Sequence, residues 1–159
     1  MTETRHIRQS FHRAPGLELR STWQSTQAYK RHSHTQLSIG AIVEGQTCCL
    51  CNGQEFILKP GDIIVIPAHV PHSCNPLAGQ PRSYHMLYLD TPVPLAMQVI
   101  RSASLFSLYL HVVENLSESS LRALLAALPQ GGDAGDTLRP TSQQLQQAFL
   151  RELIHPPGL

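Results

Sequence analysis

The chain has little charge of either sign. Charged residues make up 14% of its 159 residues, and 12 Lys and Arg nearly balance 11 Asp and Glu. This balance lacks the basic excess with which nucleic-acid-binding surfaces neutralise phosphates, so the chain itself shows no sign of such a surface. With 42% hydrophobic residues, it is instead predicted to be one compact or oligomeric body, not a disordered tail.

Signals for export, membrane insertion and cysteine-based metal sites are also missing. Residues 1–10 are polar and lack the apolar segment of a signal peptide. No apolar run reaches the length of a transmembrane helix. Cys48 and Cys51 are spaced as C-x-x-C, but Cys74 lies alone downstream, so the two C-x-x-C pairs of a zinc ribbon are missing. A cytoplasmic protein without membrane contact is expected.

Apolar segments separated by glycine-centred turns fill residues 17–90, which we take as one β domain. Asn52-Gly53 between two such segments is a strong hairpin signal, and Pro60-Gly61 marks another turn. Strands are predicted near residues 17–23, 37–43, 47–51, 55–58, 62–66, 71–74 and 83–89. Turns at such short spacing predict an all-β sandwich or barrel. Residues 1–16, which end at Pro15-Gly16, are predicted to be a flexible N-terminal arm.

The hydrophobic period changes to a helical one in residues 91–159, which are predicted to be a helical dimerisation and linker region. One helix is expected within 95–116 and a second from about 118 to 128, before Pro129. Thr141 begins a capping box for a third. The apolar stripe of the first helix is predicted to be a dimer interface, with packing inside the chain as the alternative. This stripe consists of Leu105, Leu108, Tyr109, Val112 and Leu116.

Histidine is abundant, with nine copies, and three of them fall into a pattern. In a strand, residues two apart share a face, so His32 and His34 are predicted to lie on one side with Gln36 and Ser38. His72 can join them from a neighbouring strand. Three imidazoles with an open position are what a Zn²⁺ or Fe²⁺ site needs.

The spacing of these residues resembles the two motifs of the cupin family. In the first motif, His32-Ser33-His34 is followed by Ser38 at the carboxylate position and by Gly45. The second motif is matched by Gly61, Pro67 and His72, with His69 at its second glycine position and Pro76 in its last position. The resemblance implies a mainly β fold, a cupin (double-stranded β-helix or jelly-roll) barrel, followed by C-terminal α-helices.

Three departures from the motifs bear on metal binding. Ser38 replaces the carboxylate ligand, His69 replaces a glycine and Pro76 replaces an asparagine. Three neutral imidazoles without a carboxylate carry no charge to offset a divalent cation, which lowers the affinity. His32, His34 and His72 are therefore interpreted mainly as the polar wall of a pocket that requires no cofactor. A divalent Zn, Fe, Ni or Mn ion held by the same three residues is the alternative.

Over residues 17–128 the chain also resembles the N-terminal sensing domain of AraC-type transcription regulators. The shared order is an arm, a barrel with the H-x-H segment and the segment from Pro67 to His72, and amphipathic helices. The resemblance implies a homodimer that binds a small-molecule effector and responds by a conformational shift. It implies contact with DNA only through a helix-turn-helix domain, which is not expected within this chain.

The predicted effector pocket adds aromatic residues to the histidines. Trp23, Tyr84 and Tyr88 are candidates, although aromatic residues on strands are more often core. Apolar residues occupy both faces of the segment around Tyr84, so alternation does not fix its orientation. The complete predicted set is His32, His34, Gln36, Ser38, His72, Trp23, Tyr84 and Tyr88.

Two other functions compete with effector sensing. A metal-dependent cupin enzyme, such as a dioxygenase or isomerase, would use His32, His34 and His72 as ligands. Against it, the motifs offer no obvious general base, and no catalytic residue is assigned. A stand-alone cupin that binds a sugar or another small molecule, without a DNA partner, is the third possibility.

Overall fold

A computed structural model of the chain describes residues 8–51, 53–90 and 95–129. The strands are β1 (Arg8–Ala14), β2 (Leu17–Ser25), β3 (Leu37–Glu44), β4 (Thr47–Cys51), β5 (Gln54–Leu58), β6 (Asp62–Ile66), β7 (His72–Pro76), β8 (Arg82–Leu89) and β9 (Gln98–Arg101). The helices are α1 (Ala103–Asn115) and α2 (Glu118–Ala127), and a 3₁₀ turn covers Leu77–Gly79. The predicted mainly β fold with C-terminal helices is confirmed.

The strands form two antiparallel sheets. Six strands lie in the order β1-β2-β8-β3-β6-β9, and three lie in the order β5-β4-β7. Side chains of β3 and β6 pack against those of β4 and β5 in a shared core. The two sheets therefore face each other as in a jelly roll, but the strands of the described residues do not join into one closed barrel.

Strand β3 lies inside the larger sheet, between β6 and β8. Its residues 37–42 are all buried, so both faces of the strand are covered. Ile39 and Ala41 belong to a core that includes both helices, whereas Ile42 belongs to the core shared with the smaller sheet. The larger sheet is thus the middle of three layers, with helices on one side and the smaller sheet on the other.

Serine caps start both helices. The Ser102 side chain accepts a hydrogen bond from a backbone amide in the first turn of α1, and Ser117 and Ser120 form a capping box on α2. From the buried face of α1, the Tyr109 hydroxyl donates a 2.7 Å hydrogen bond to the Ile39 carbonyl oxygen. This bond ties the helix layer to strand β3. In the described part of the chain, neither helix has the length and apolarity of a membrane span.

Residues 8–14 differ from the flexible arm that the sequence predicted. They form β1, which pairs with β2 along its whole length. Gly16, at φ 75°, provides the left-handed conformation that the turn between the two strands requires. Composition does not report this pairing, because an edge strand is held mainly by backbone hydrogen bonds. Residues 1–7 lie outside the described residues.

The first helix lies within the predicted segment 95–116 and begins at Ala103. Residues 98–101 form β9, which pairs with β6 so that Gln98 lies opposite Val65 and Arg101 lies opposite Asp62. The free edge of β6 offers unpaired backbone groups, and pairing with them overrides the local helical period. The second predicted helix is confirmed as α2, and the third, from Thr141, lies outside the described residues.

The stripe predicted as a dimer interface packs inside the chain. Its residues Leu105, Leu108, Tyr109 and Val112 are each 0% exposed, because they cover the helix-side face of the larger sheet. Leu116 is half-buried against the same core. Completely buried side chains have no surface left to offer a second copy, so the structure favours the intrachain alternative for this stripe. Dimerisation itself stays a prediction.

We expect Tyr109→Phe to lower the free energy of unfolding by about 1 kcal/mol, the usual net value of one hydrogen bond. The ring stays in place, so the change isolates the bond to Ile39. Urea denaturation of the variant and of Ser107→Ala, at an exposed position of the same helix, provides the measurement and its control. An unfolding free energy of Tyr109→Phe equal to that of the unmodified chain would show that the bond does not stabilise the fold.

Candidate functional site

A cavity lies between the two sheets, on the face of β3 that points away from the helices. Ser38 and Gly40 of β3 line it together with Tyr84, Met86 and Tyr88 of β8. In a strand, side chains two residues apart share a face. The odd-numbered residues of β3 and β8 pack towards the helices, so their even-numbered residues face this cavity. The space between the lining atoms is about 690 Å³ including the open mouth, which is an upper bound on the volume of an occupant.

The backbone holds two of the cavity histidines side by side. The His32 amide donates to the His72 carbonyl at 2.9 Å, and the His72 amide donates to the His32 carbonyl at 2.8 Å. This reciprocal pair places the two ring centroids 4.6 Å apart. The His34 ring lies 4.8 Å from that of His32 and 5.3 Å from that of His72. One candidate ligand atom from each ring lies within 4.8 Å of the others, so the three imidazoles form one cluster.

The backbone also fixes which ring nitrogens carry a proton. His32 Nδ1 lies 2.6 Å from the Lys30 carbonyl oxygen, and His72 Nδ1 lies 2.9 Å from the Val70 carbonyl oxygen. A carbonyl oxygen only accepts hydrogen bonds, so both Nδ1 atoms donate a proton to it. In the neutral rings, both Nε2 atoms therefore keep a free lone pair.

Positive charge is disfavoured in this cluster. Burial, followed by the neighbouring His32 and His72, lowers the pKa of His34 to about 4. Burial also lowers the pKa of His72, and its bond to the Val70 carbonyl only partly opposes this effect. At neutral pH these two imidazoles are uncharged, which is the form that binds metal ions.

Two arginines that the motifs did not indicate also line the cavity. Arg82 is 1% exposed, and it donates from Nη1 to the Ser25 carbonyl at 3.1 Å and from Nη2 to the Cys74 carbonyl at 3.2 Å. Arg20 forms an ion pair with Glu18 at 3.0 Å. Arg82 shares the cavity face of β8 with the two tyrosines, so extending the alternation by two residues would have identified it.

Six of the eight residues predicted for the pocket line the cavity: His32, His34, Ser38, His72, Tyr84 and Tyr88. Trp23 and Gln36 do not belong to the lining found in the described residues. Trp23 follows Thr22 in β2, so alternation turns it to the other face, where its ring meets His85 edge-on at 6.3 Å. Gln36 lies before the start of β3, where the assumed strand alternation does not apply.

In sequence, the chain is similar to ligand-binding domains of transcription regulators. The profile of the family described as AraC-like ligand binding domain matches residues 14–154. The HTH-type transcriptional regulator YbfI of Bacillus subtilis strain 168 is 33% identical over 61 residues, which are 38% of this chain and 22% of that protein. The matched part is thus less than a quarter of that regulator.

In fold, the chain is similar to solved cupin structures. A cupin superfamily protein from Desulfitobacterium hafniense DCB-2 has a TM-score of 0.50 at 12% identity, over 57% of this chain and 84% of that protein. A Cupin 2 conserved barrel domain protein from Leptotrichia buccalis has a TM-score of 0.48 at 18% identity, over 56% of this chain and 43% of that protein. At such identities the likeness concerns the fold alone.

Proposed function

Because this chain belongs to the AraC-like ligand-binding domain family, we propose that it is the effector-sensing domain of a transcription regulator. The observation that carries the proposal is the cavity between the sheets, which lies within the residues that match the family. Its apolar and aromatic walls hold a few polar side chains, which is the composition of sites for small molecules.

In this proposal, strand β3 transmits the response to the effector. A ligand that touches Ser38 and Gly40 touches one face of the strand, whereas the Ile39 carbonyl binds Tyr109 of the helix layer. A ligand that favours one position of β3 therefore favours one position of α1. A coupling of about 1–3 kcal/mol changes affinity roughly 5- to 150-fold, which is enough for a switch.

Partners complete the proposed function. We propose that the domain works as a homodimer and that a helix-turn-helix domain outside these residues contacts DNA. Support comes from the family and from the relative YbfI, whose name describes an HTH-type regulator. The weak net charge of +1 fits a chain that leaves DNA contact to another domain.

We expect Gly40→Val to weaken effector binding tenfold or more, because the new side chain enters the cavity. A Cβ at this position would lie 2.8 Å from Met86 Cε and 3.2 Å from Ile64 Cγ2. Thermal-shift screening followed by calorimetry would test monosaccharides, benzoate, hexanoate, benzamide and hexanamide. Binding of at least one compound, weakened tenfold or more in Gly40→Val, is the expected result.

Ala127→Val is the matched control for this experiment. It also adds methyl groups at a buried position, but in α2, away from the cavity lining. Binding by Ala127→Val should equal that of the unmodified chain. Equal loss in both variants, unchanged binding in Gly40→Val, or no binding of any compound would contradict the cavity as the effector site.

The histidine cluster favours a second function, a metal-dependent cupin enzyme such as a dioxygenase or isomerase. His32, His34 and His72 fit a divalent transition metal, because carbonyl bonds orient two of the rings and leave their Nε2 lone pairs free. A bound ion would supply Lewis-acid chemistry. This function ranks second because Ser38 is neutral where a carboxylate would offset the charge of the ion.

Metal analysis separates the two functions. We expect the chain, after incubation with Zn²⁺, Fe²⁺, Ni²⁺ or Mn²⁺ and dialysis, to retain far less than one ion, and effector binding to persist in EDTA. Elemental analysis of His72→Ala, with His69→Ala at an exposed turn position as control, provides the measurement. One retained ion per chain, lost in His72→Ala but kept in His69→Ala, would favour the enzyme.

A further inference from the structure

Unpartnered polar atoms are concentrated in the cavity. Several buried side-chain nitrogen or oxygen atoms of the described residues have no hydrogen-bond partner. Four of them belong to cavity-lining residues: Arg20 Nε, Ser38 Oγ, Thr47 Oγ1 and Arg82 Nε. A buried polar group without a partner costs about 1–3 kcal/mol, so this concentration marks a place where a ligand supplies partners.

Arg82 carries the charge that the surrounding protein leaves uncompensated. Its two side-chain hydrogen bonds go to neutral carbonyl oxygens, and the Tyr84 ring lies 5.1 Å from its guanidinium carbon. No described carboxylate lies within ion-pair distance of it, in contrast to Arg20, which Glu18 neutralises. Burial lowers the pKa of Arg82, yet a guanidinium remains protonated in proteins.

We propose that the effector is a small organic acid whose carboxylate binds the Arg82 guanidinium. This inference rests on the proposed sensing function and names its ligand class. The planar fork of a guanidinium matches a carboxylate, and the free Nε–H is part of that fork. A neutral sugar in the same place would leave the buried charge without a counterion.

The other lining residues indicate the chemistry of the part of the acid that is not the carboxylate. Ile42, Leu58, Ile64 and Met86 provide apolar surface, and the tyrosine rings of β8 provide aromatic surface. The matching body is therefore apolar or aromatic. The Ser38 and Thr47 hydroxyls remain available for one further polar group on the ligand.

Acid–amide pairs test the proposal, because they differ in charge and little in shape. Calorimetry with the whole chain at pH 7 would compare benzoate with benzamide, hexanoate with hexanamide, and both with inorganic phosphate. At least one acid should bind 10- to 100-fold more tightly than its amide. In Arg82→Met the ratio of the dissociation constants of amide and acid should fall to near one. In Arg122→Gln, on the exposed side of α2, this ratio should stay as in the unmodified chain.

The comparison in the unmodified chain decides the matter even if Arg82→Met does not fold. Amides or sugars that bind the cavity as tightly as the acids would overturn the ligand class and leave the sensing function standing. If inorganic phosphate binds as tightly as the better acid, the claim that the ligand has an apolar or aromatic body is wrong. An acid preference that survives in folded Arg82→Met would overturn the role of Arg82. If no compound binds, the sensing function and the ligand class fail together.

Discussion

The burial of both faces of strand β3 is the constraint on which the rest of the structure depends. A strand sends successive side chains to opposite faces, so the helix core and the cavity are built from alternating residues of the same six-residue run. A slip of one residue would place Ser38 and Gly40 against the helices and Ile39 in the cavity. The pairing of β3 with β6 and β8 therefore fixes the hydrophobic core and the candidate site together.

The cavity combines a buried cation with two imidazoles, His34 and His72, whose pKa values burial lowers. Burial removes water from both groups. It lowers the pKa of Arg82, whose charge has no counterion among the described residues, and it lowers the pKa of His34. The charge of Arg20 also lowers the pKa of His34, and its ion-pair partner Glu18 opposes this effect. A metal ion would add positive charge to the cavity, whereas an organic anion would offset the positive charge of Arg82. Electrostatics thus favours an anionic occupant over a metal, even though the histidine nitrogens are well oriented for one.

The sequence predicted most strands and the histidine cluster, because period-two alternation, turn residues and motif spacing are local signals. It missed β1 and β9, whose pairing with β2 and β6 is set by free sheet edges that no local pattern reports. It also missed Arg82, because both faces of β8 are apolar. The middle position of the larger sheet explains that ambiguity: one face packs on helices and the other lines the cavity. The same three-layer arrangement turned the stripe on α1 inwards, where a dimer interface was expected.

The hydrogen bond from Tyr109 to the Ile39 carbonyl has a consequence for whatever docks on the outer side of α1. Coupling between two binding sites is reciprocal, so each partner changes the affinity for the other by the same factor. A second subunit or a neighbouring domain that holds α1 in one position would therefore tighten or weaken effector binding from the far side of the sheet. The affinity of the isolated chain for a ligand in the cavity is then a property of one assembly state, and a larger assembly can have a different one.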